Sequence, residues 1–489
     1  MLNLGHVIEA LSGYQMVASA QIVTDVVIDS RCTIPGSLFI AFAGECVDGH
    51  SYVADAFSQG AVAALVEHPI TGDHRTLDTR RPITYAMATD LGLPLCIVVE
   101  NSLLALQKIA AYWRARHTPR VIGITGSVGK TTTKELIHAV LQTRYCTLKS
   151  EGNLNNEIGL PLTLLHLSDA HERVVLEMGM YVGGEIATLA QIARPQVGVV
   201  TNLGPVHLER AGSMQAVVDA KSELVEALPH APEGVAILNQ DEPLVRTMAK
   251  RTPARIFSYG LSPQADLWAD NIESAGLKGI RFNLHYQGET LNIRAPLLGR
   301  HSVHTALRAA AVGLVENLDW SDIVNGLQSD SPQLRLVAVT GPRNSLLLDD
   351  TYNASPSSTI AALNLLADLR ESGRRVAVLG DMLELGAYKQ RGHRMVGRRV
   401  VEAADMLVTV GSLGQIIAEE ALAAGMPPER VFILSGVEQA IATMPGLIQP
   451  EDMVLIKGSR GVLLDQLVDF LSHSGANANH HYPAEAEAL

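Results

Sequence analysis

The chain has 489 residues, room for about three domains, and its 47% hydrophobic and 18% charged residues exclude a disordered chain or a long coiled coil. A formal net charge of −13 argues against a nucleic-acid surface as the main partner, because a polyanion calls for a basic face.

The opening "MLNLGHVIEALSG" lacks the basic start and long apolar run of a signal peptide. Residues 1–117 mix short strands and helices around "VVIDSRCTIPGSLFIAFAG", and a polar, basic junction, "RARHTPR", follows. From Val121 the pattern becomes strand, loop, helix. "RVIGIT" is a short β-branched run, and "KELIHAVLQT" places Leu136, Ile137, Val140 and Leu141 at helical spacing. "RVVLEMG", "QVGVVTNLG" and "GVAILNQD" are further short apolar runs ending in polar residues or Gly. That is the pattern of buried parallel strands with functional residues at their carboxyl ends. "IRFNLHYQGETLNIRAPLLG" alternates like a hairpin. A boundary is expected near "SDSPQL", which divides a central domain, 118–332, from a third, 333–473. In the third, "SLLLDD", "RVAVLGD", "MLVTVG", "RVFIL" and "MVLIKGS" alternate with helical stretches, the rhythm of a second doubly wound α/β domain. The end, 474–489, has no apolar periodicity and is expected to be a mobile tail, its His480 and His481 included. No stretch reaches the roughly 18 apolar residues that span a bilayer. Cys32, Cys46, Cys96 and Cys146 are scattered and read as reduced thiols, so the cytoplasm is the expected location.

"VIGITGSVGKTTTKE", from Val121 to Glu135, reads as a phosphate-binding loop. A strand turning through glycines into a helix aims backbone N–H groups and the positive helix end at an anion. Gly126 and Gly129 let the backbone approach, Ser127 and Thr132 belong to the loop, Lys130 can reach the β- and γ-phosphates, and the Thr131 hydroxyl can ligate Mg²⁺. The strict G-x-x-x-x-G-K-[ST] pattern is not met, because Ile124 stands at the first glycine position. Mg²⁺ on a triphosphate needs further oxygen ligands, and Glu177, at a strand end, is a candidate. His207 also follows a strand end and reads equally as structural or functional. Lys221 sits in a helical stretch, and nothing in the residues alone singles it out.

The order "TGSVGKTTTKE", "GNLNNEIGLPLTLL", "EMGM", "TNLGPVHLERAGS", "AKSEL", "LLGRHSVHTALRAAAVG", "DDTYNASPSS", "LGDMLELG" and "IKGSRG" resembles the Mur ligases of peptidoglycan synthesis over about residues 1–472. "DDTYNASP", "GDMLELG" with His393, and "KGSR" resemble the branch that joins D-Ala-D-Ala to a UDP-N-acetylmuramoyl tripeptide. The resemblance implies an α/β chain of three domains. These are a small mixed α/β domain for the UDP end of the substrate, a central P-loop ATPase domain with a mainly parallel sheet, and a C-terminal Rossmann-like doubly wound domain. It implies a monomer that uses ATP and two Mg²⁺ and forms a peptide bond through an acyl phosphate. Lys130, Thr131 and Glu177 then serve the triphosphate and a first Mg²⁺. His207 supports a second Mg²⁺, and Lys221 is carbamylated into a carboxylate-like ligand. Asn155 and Asn156 line the nucleotide and substrate region. Asn239, His301 and Asp350 lie near the adenosine. Ser30 and Arg31, in "DSR", belong to the uridine domain, while Tyr352, Asn353, Lys457 and Arg460 contact nucleotide or dipeptide.

Two positions depart from the family pattern. Ser302 and Thr305 stand where asparagines are usual near the adenine, and neither offers an amide's paired donor and acceptor. Val128 replaces a polar loop residue, at little expected cost because backbone N–H groups do the cradling. The basic run at 389–399 reads as a solvated helix face. A sister ligase that adds the third amino acid is disfavoured because no "DNPR"-like segment is present. Folylpolyglutamate synthase lacks a counterpart of residues 1–117. A nucleotide switch without ligase activity is disfavoured by the intact Lys130, Glu177, His207 and Lys221.

Overall fold

The short β-branched runs form three sheets. The computed structural model describes the chain except residues 16–20, 45–46, 85–91, 207, 330–336, 370–372 and 477–489. In the first sheet β1 (Val26–Val27), β2 (Leu38–Ile40), β3 (Ala63–Val66), β4 (Arg75–Asp78) and β5 (Leu95–Val98) run parallel in the order β1-β2-β3-β5-β4.

The second sheet holds β6 (Arg120–Thr125), β7 (Thr147–Lys149), β8 (Arg173–Glu177), β9 (Val197–Val200), β10 (Val235–Asn239), β11 (Arg255–Gly260), β12 (Leu267–Ser274), β13 (Ile280–Tyr286) and β14 (Glu289–Ala295). Its order is β14-β13-β12-β11-β10-β9-β6-β8-β7. It is parallel from β7 to β12, and only β12, β13 and β14 pair antiparallel. The expected hairpin is β13–β14, which turns through Gln287 and Gly288, both at positive φ (47° and 85°), as a tight two-residue turn requires.

The third sheet holds β15 (Val337–Thr340), β16 (Leu346–Asp350), β17 (Arg375–Gly380), β18 (Met406–Val410), β19 (Val431–Leu434) and β20 (Met453–Lys457), in the order β15-β16-β20-β17-β18-β19. Only the edge strand β15 is antiparallel. Strand side chains alternate between faces, so Leu348, Ala377 and Leu455 enter a core under helices Pro356–Asp368 and Lys389–Ala403. Their neighbours Leu347, Val376 and Val454 enter another under Val437–Leu447 and Asp465–Ala476. Helices on both faces make this sheet doubly wound, as expected.

Helix Ser102–Ala115 joins the first two sheets. Its Leu106, Ile109 and Trp113 share one core with Leu160, Leu164 and Ile186. Arg114 of the basic junction is buried and donates to the carbonyls of Ala193 (2.9 Å), His117 (2.9 Å) and Pro119 (3.3 Å). The junction is thus an interior tie. We propose the first division at 117, between that helix and β6. The second, at 332, falls outside the described residues. The last helix, anchored by the buried Leu467 and Leu471, reaches Ala476, so residues 474–476 of the expected tail are helical. The rest of the expected tail, with His480 and His481, lies outside the described residues. Among the described residues no helix is long and apolar enough to cross a membrane.

Candidate active site

The site is built outward from β6, which sits between β8 and β9, third from the β7 edge of the second sheet. After Thr125 the chain turns through Gly126 (φ +143°) and Gly129 (φ +80°) into helix Lys130–Leu141, conformations that favour glycine. The segment after β9 holds the loop. The Asn202 carbonyl accepts from the Ser127 N–H (2.9 Å), the Asn202 Oδ1 from the Val128 N–H (2.8 Å), and the Thr201 hydroxyl donates to the Val128 carbonyl (2.8 Å). Ser127 Oγ and the Gly204 backbone exchange two further hydrogen bonds. A Cβ at Gly126 would lie 1.9 Å from Thr201 Oγ1, so Gly126→Ala must displace the loop. Its affinity for ADP is expected to fall roughly 10- to 100-fold, the equivalent of about 1–3 kcal/mol of backbone strain. Calorimetric titration reads this directly, and unchanged affinity would detach the loop from nucleotide binding.

Behind the loop five side chains converge. Glu177, the last residue of β8 and 2% exposed, accepts from the Thr131 hydroxyl (2.7 Å) and the Asn155 amide (2.8 Å). Lys130 Nζ and Lys221 Nζ both donate to the Gly126 carbonyl, at 3.1 and 3.0 Å. Lys221 is on helix Met214–Glu226 and 1% exposed. Burial holds its pKa well below the ordinary lysine value, the Lys130 charge adds to that, and Glu177 partly opposes it. The oxygens of Glu177 and Thr131 are the hard donors a divalent cation prefers, so the set fits Mg²⁺. His207 lies outside the described residues.

A cleft of about 990 Å³ opens in front of the loop. The carboxyl ends of β6, β8, β9 and β10 face those of β16 and β20 across it, the edge where α/β sheets bind ligands. Ser127, Lys130, Thr132, Asn155 and Asn156 line one wall. Asp350, Tyr352, Asn353, Lys457 and Arg460 line the other, where buried Lys457 binds Asp350 Oδ2 and the Asn353 carbonyl, both at 2.8 Å. Asn239 and His301 lie along its floor with Asp241 and His304, the last two paired at 2.8 Å. Asn156 Oδ1 also accepts from Gly159 N–H (2.8 Å), fixing the start of helix Gly159–Leu165. Ser30 and Arg31 do not join this cluster. They form a turn beyond β1, where Arg31 is exposed and pairs with Asp29 at 2.6 Å.

His393 is buried in helix Lys389–Ala403, where its Nε2 accepts from the Met382 N–H (3.0 Å) and its Nδ1 donates to the Lys389 carbonyl (2.7 Å). It fixes the loop after β17. Two of the basic residues of the same helix are paired at the surface, Arg398 with Glu420 (2.6 Å) and Arg399 with Asn364 (2.6 Å). Ser302 donates to the Leu298 carbonyl (2.6 Å), and Thr305 accepts from Arg308 (2.8 Å), so both departing hydroxyls already have internal partners. Sequence reading passed over Thr201, Asn202 and Arg308. The first two stand in the quoted strand-end motif, which is the signal that could have found them. Arg308 also stands in a quoted stretch, "LLGRHSVHTALRAAAVG", but an arginine within a run of alanines reads as a helix surface.

A glycine loop capping a helix, opposed across a cleft by a second parallel sheet, places the chain among nucleotide-binding α/β proteins with a facing domain. Family models match three stretches: "Mur ligase family, catalytic domain" at 22–89, "Mur ligase middle domain" at 124–313 and "Mur ligase, glutamate ligase domain" at 335–460. The chain belongs to the Mur ligase family. It is 36% identical over 454 residues to the UDP-N-acetylmuramoyl-tripeptide–D-alanyl-D-alanine ligase of Synechocystis, covering 92% of each chain. It is 33% identical to the ligase of that name from Escherichia coli, covering 92% of this chain and 94% of that one. A crystal structure of MurF from Acinetobacter baumannii superposes with a TM-score of 0.82 at 30% identity, over 96% of this chain and 99% of that one.

Proposed function

We propose that the chain is an ATP-dependent peptide ligase that adds D-Ala-D-Ala to UDP-N-acetylmuramoyl tripeptide, giving the pentapeptide precursor of peptidoglycan with ADP and phosphate. The observation that carries this reading is the cleft itself. A phosphate loop with a buried acid–lysine cluster faces a second domain at the place where an acceptor must meet the γ-phosphate.

The terminal carboxylate oxygen attacks the γ-phosphorus and ADP leaves. The D-Ala-D-Ala nitrogen then attacks the acyl carbon, phosphate leaves, and the nitrogen gives up a proton. Such a phosphoryl transfer calls for positioning and charge neutralisation more than covalent help. Lys130 and the loop N–H groups bind the triphosphate. Thr131 and Glu177 would hold Mg²⁺, His207 would support a second ion, and Lys221 would do so as a carbamate. Ions so held would neutralise the repulsion between triphosphate and acceptor carboxylate. A buried Lys221, whose surroundings disfavour the charged form, suits carbamylation: its nitrogen would bond to the carbon of CO₂ and release a proton, giving a carbamate whose oxygens can act as ligands. Asn155 and Asn156 face the acceptor, Asn239, His301 and Asp350 the adenosine, Tyr352, Asn353, Lys457 and Arg460 the nucleotide or dipeptide, and Ser30 and Arg31 the uridine end. The acting unit is a single chain in this reading, as the family resemblance implies. The cytoplasm, with its ATP and reduced thiols, is the proposed location, and the described cysteines are unpaired.

The test is phosphate release with ATP, Mg²⁺, UDP-muramoyl tripeptide and D-Ala-D-Ala, omitting each in turn. Release that needs all four, with a pentapeptide product, is expected. Release that ignores D-Ala-D-Ala but answers to UDP-muramoyl dipeptide and a diamino acid would make the chain the sister ligase. ATP binding without release for any acceptor would make it a binding protein.

A further inference from the structure

Among the described residues Arg308 is a buried cation without an acid. It stands on helix Val303–Val315, is 5% exposed, and lines the cleft beside Ser127, Gly129 and Lys130. Its Nη2 donates to Thr305 Oγ1 at 2.8 Å, while its Nε has no hydrogen-bond partner. Among the described residues no carboxylate pairs with it. Nη2 lies 3.7 Å from the position a Cβ on Gly129 would take, at the start of the phosphate-loop helix. On its other side its charge bears on the fully buried Tyr259 hydroxyl, which is directed at the Val200 and Thr201 carbonyls at the end of β9 (3.4 and 3.3 Å). The guanidinium is therefore held between the strand end and the loop.

A guanidinium keeps its charge at any ordinary pH and carries five N–H donors in a planar fork. Burying it with only neutral partners is unfavourable, and that cost is removed when an anion arrives. The anion the neighbouring loop is shaped for is a phosphate chain. We propose that Arg308 is a nucleotide-binding residue that donates to the phosphate chain of bound ATP from the floor of the cleft, beside Lys130. The proposal rests on the ligase reading only in taking ATP as the nucleotide. It assigns Thr305 a definite task, which is to orient the guanidinium as the acceptor of Nη2.

The test compares the full-length protein with Arg308→Met, which keeps the length and apolar stem, and with Arg308→Lys. Calorimetry with MgADP is expected to give roughly 10- to 100-fold weaker binding for Arg308→Met, with Arg308→Lys in between. The melting midpoint without nucleotide is expected to stay or rise, since an unpaired buried charge has gone. In turnover the KM for ATP rises, while the KM values for the UDP-linked substrate and D-Ala-D-Ala stay. Wild-type ADP affinity in Arg308→Met would overturn the proposal. So would an equal rise in all three KM values, which would mark a packing role. If Arg308→Met does not fold, Arg308→Gln supplies the same comparison. A wild-type protein that binds ADP yet turns over no acceptor would sink the ligase reading and leave the arginine comparison intact.

Discussion

Lys130→Ala is expected to lose at least roughly 10³-fold in the rate of phosphate release while the chain stays folded. The ammonium lies 3.1 Å from the Gly126 carbonyl, at the mouth of the loop and in the wall of the cleft. A triphosphate entering there brings several negative charges, and the acceptor carboxylate brings another. Without the lysine, the phosphate chain would lose a flexible cation at the mouth of the loop, and the γ-phosphorus would be less well positioned and neutralised. The fold does not depend on the side chain. Lys130 begins helix Lys130–Leu141 and is only partly buried, and alanine is the best helix former. The substitution has a second effect inside the site. Lys130 is one of the causes that hold the Lys221 pKa down, so its removal lets Lys221 take up a proton more readily. Circular dichroism and the melting midpoint check the fold, and the phosphate-release assay checks the activity. Normal turnover in a well-folded variant would remove the loop from the chemistry.

What the sequence made legible follows from the range of the forces involved. β6, β8, β9 and β10 could be read because a strand buried on both faces needs an unbroken apolar run, and such runs show locally. The β13–β14 hairpin could be read because alternation and the Gln-Gly turn are local as well. Glu177 could be read from its place at a strand end, which the topology turns into a place behind the loop. Lys221 could not be found from the residues. Its neighbour is the Gly126 carbonyl, far away in sequence, and a lysine on a helix looks the same whether water or a phosphate loop surrounds it. Only the family resemblance marked it. Arg114 and Arg308 escaped for the same reason, since their burial is decided by backbone carbonyls and by a helix–loop contact from other parts of the chain. The departures at Ser302 and Thr305 were legible as departures. What their hydroxyls do instead, toward Leu298 and Arg308, needed the fold.

Lys221→Ala is expected to slow turnover roughly 10²- to 10³-fold, the scale of losing one preorganised charge-stabilising group, with partial recovery when a short carboxylic acid such as acetate or formate is added. The amine lies 3.0 Å from the Gly126 carbonyl and close enough to Glu177 for its charge to be felt. If its task were to supply a positive charge, the surroundings would favour its protonation, whereas burial and Lys130 both disfavour it. The proposed carbamate would resolve this, because it would be negative, reach further than the amine, and bring oxygen donors beside Glu177 and Thr131. Truncation to alanine leaves a space the length of a lysine side chain, into which a small carboxylate can diffuse and place an oxygen where the proposed carbamate would stand. Two comparisons separate this from simple packing. A short amine such as ethylamine should rescue less well than the acid, and removal of dissolved CO₂ should slow the wild-type protein but not the rescued variant. Full activity of Lys221→Ala without any acid would remove the carbamate. Rescue by amine but not by acid would assign the residue a cationic role instead.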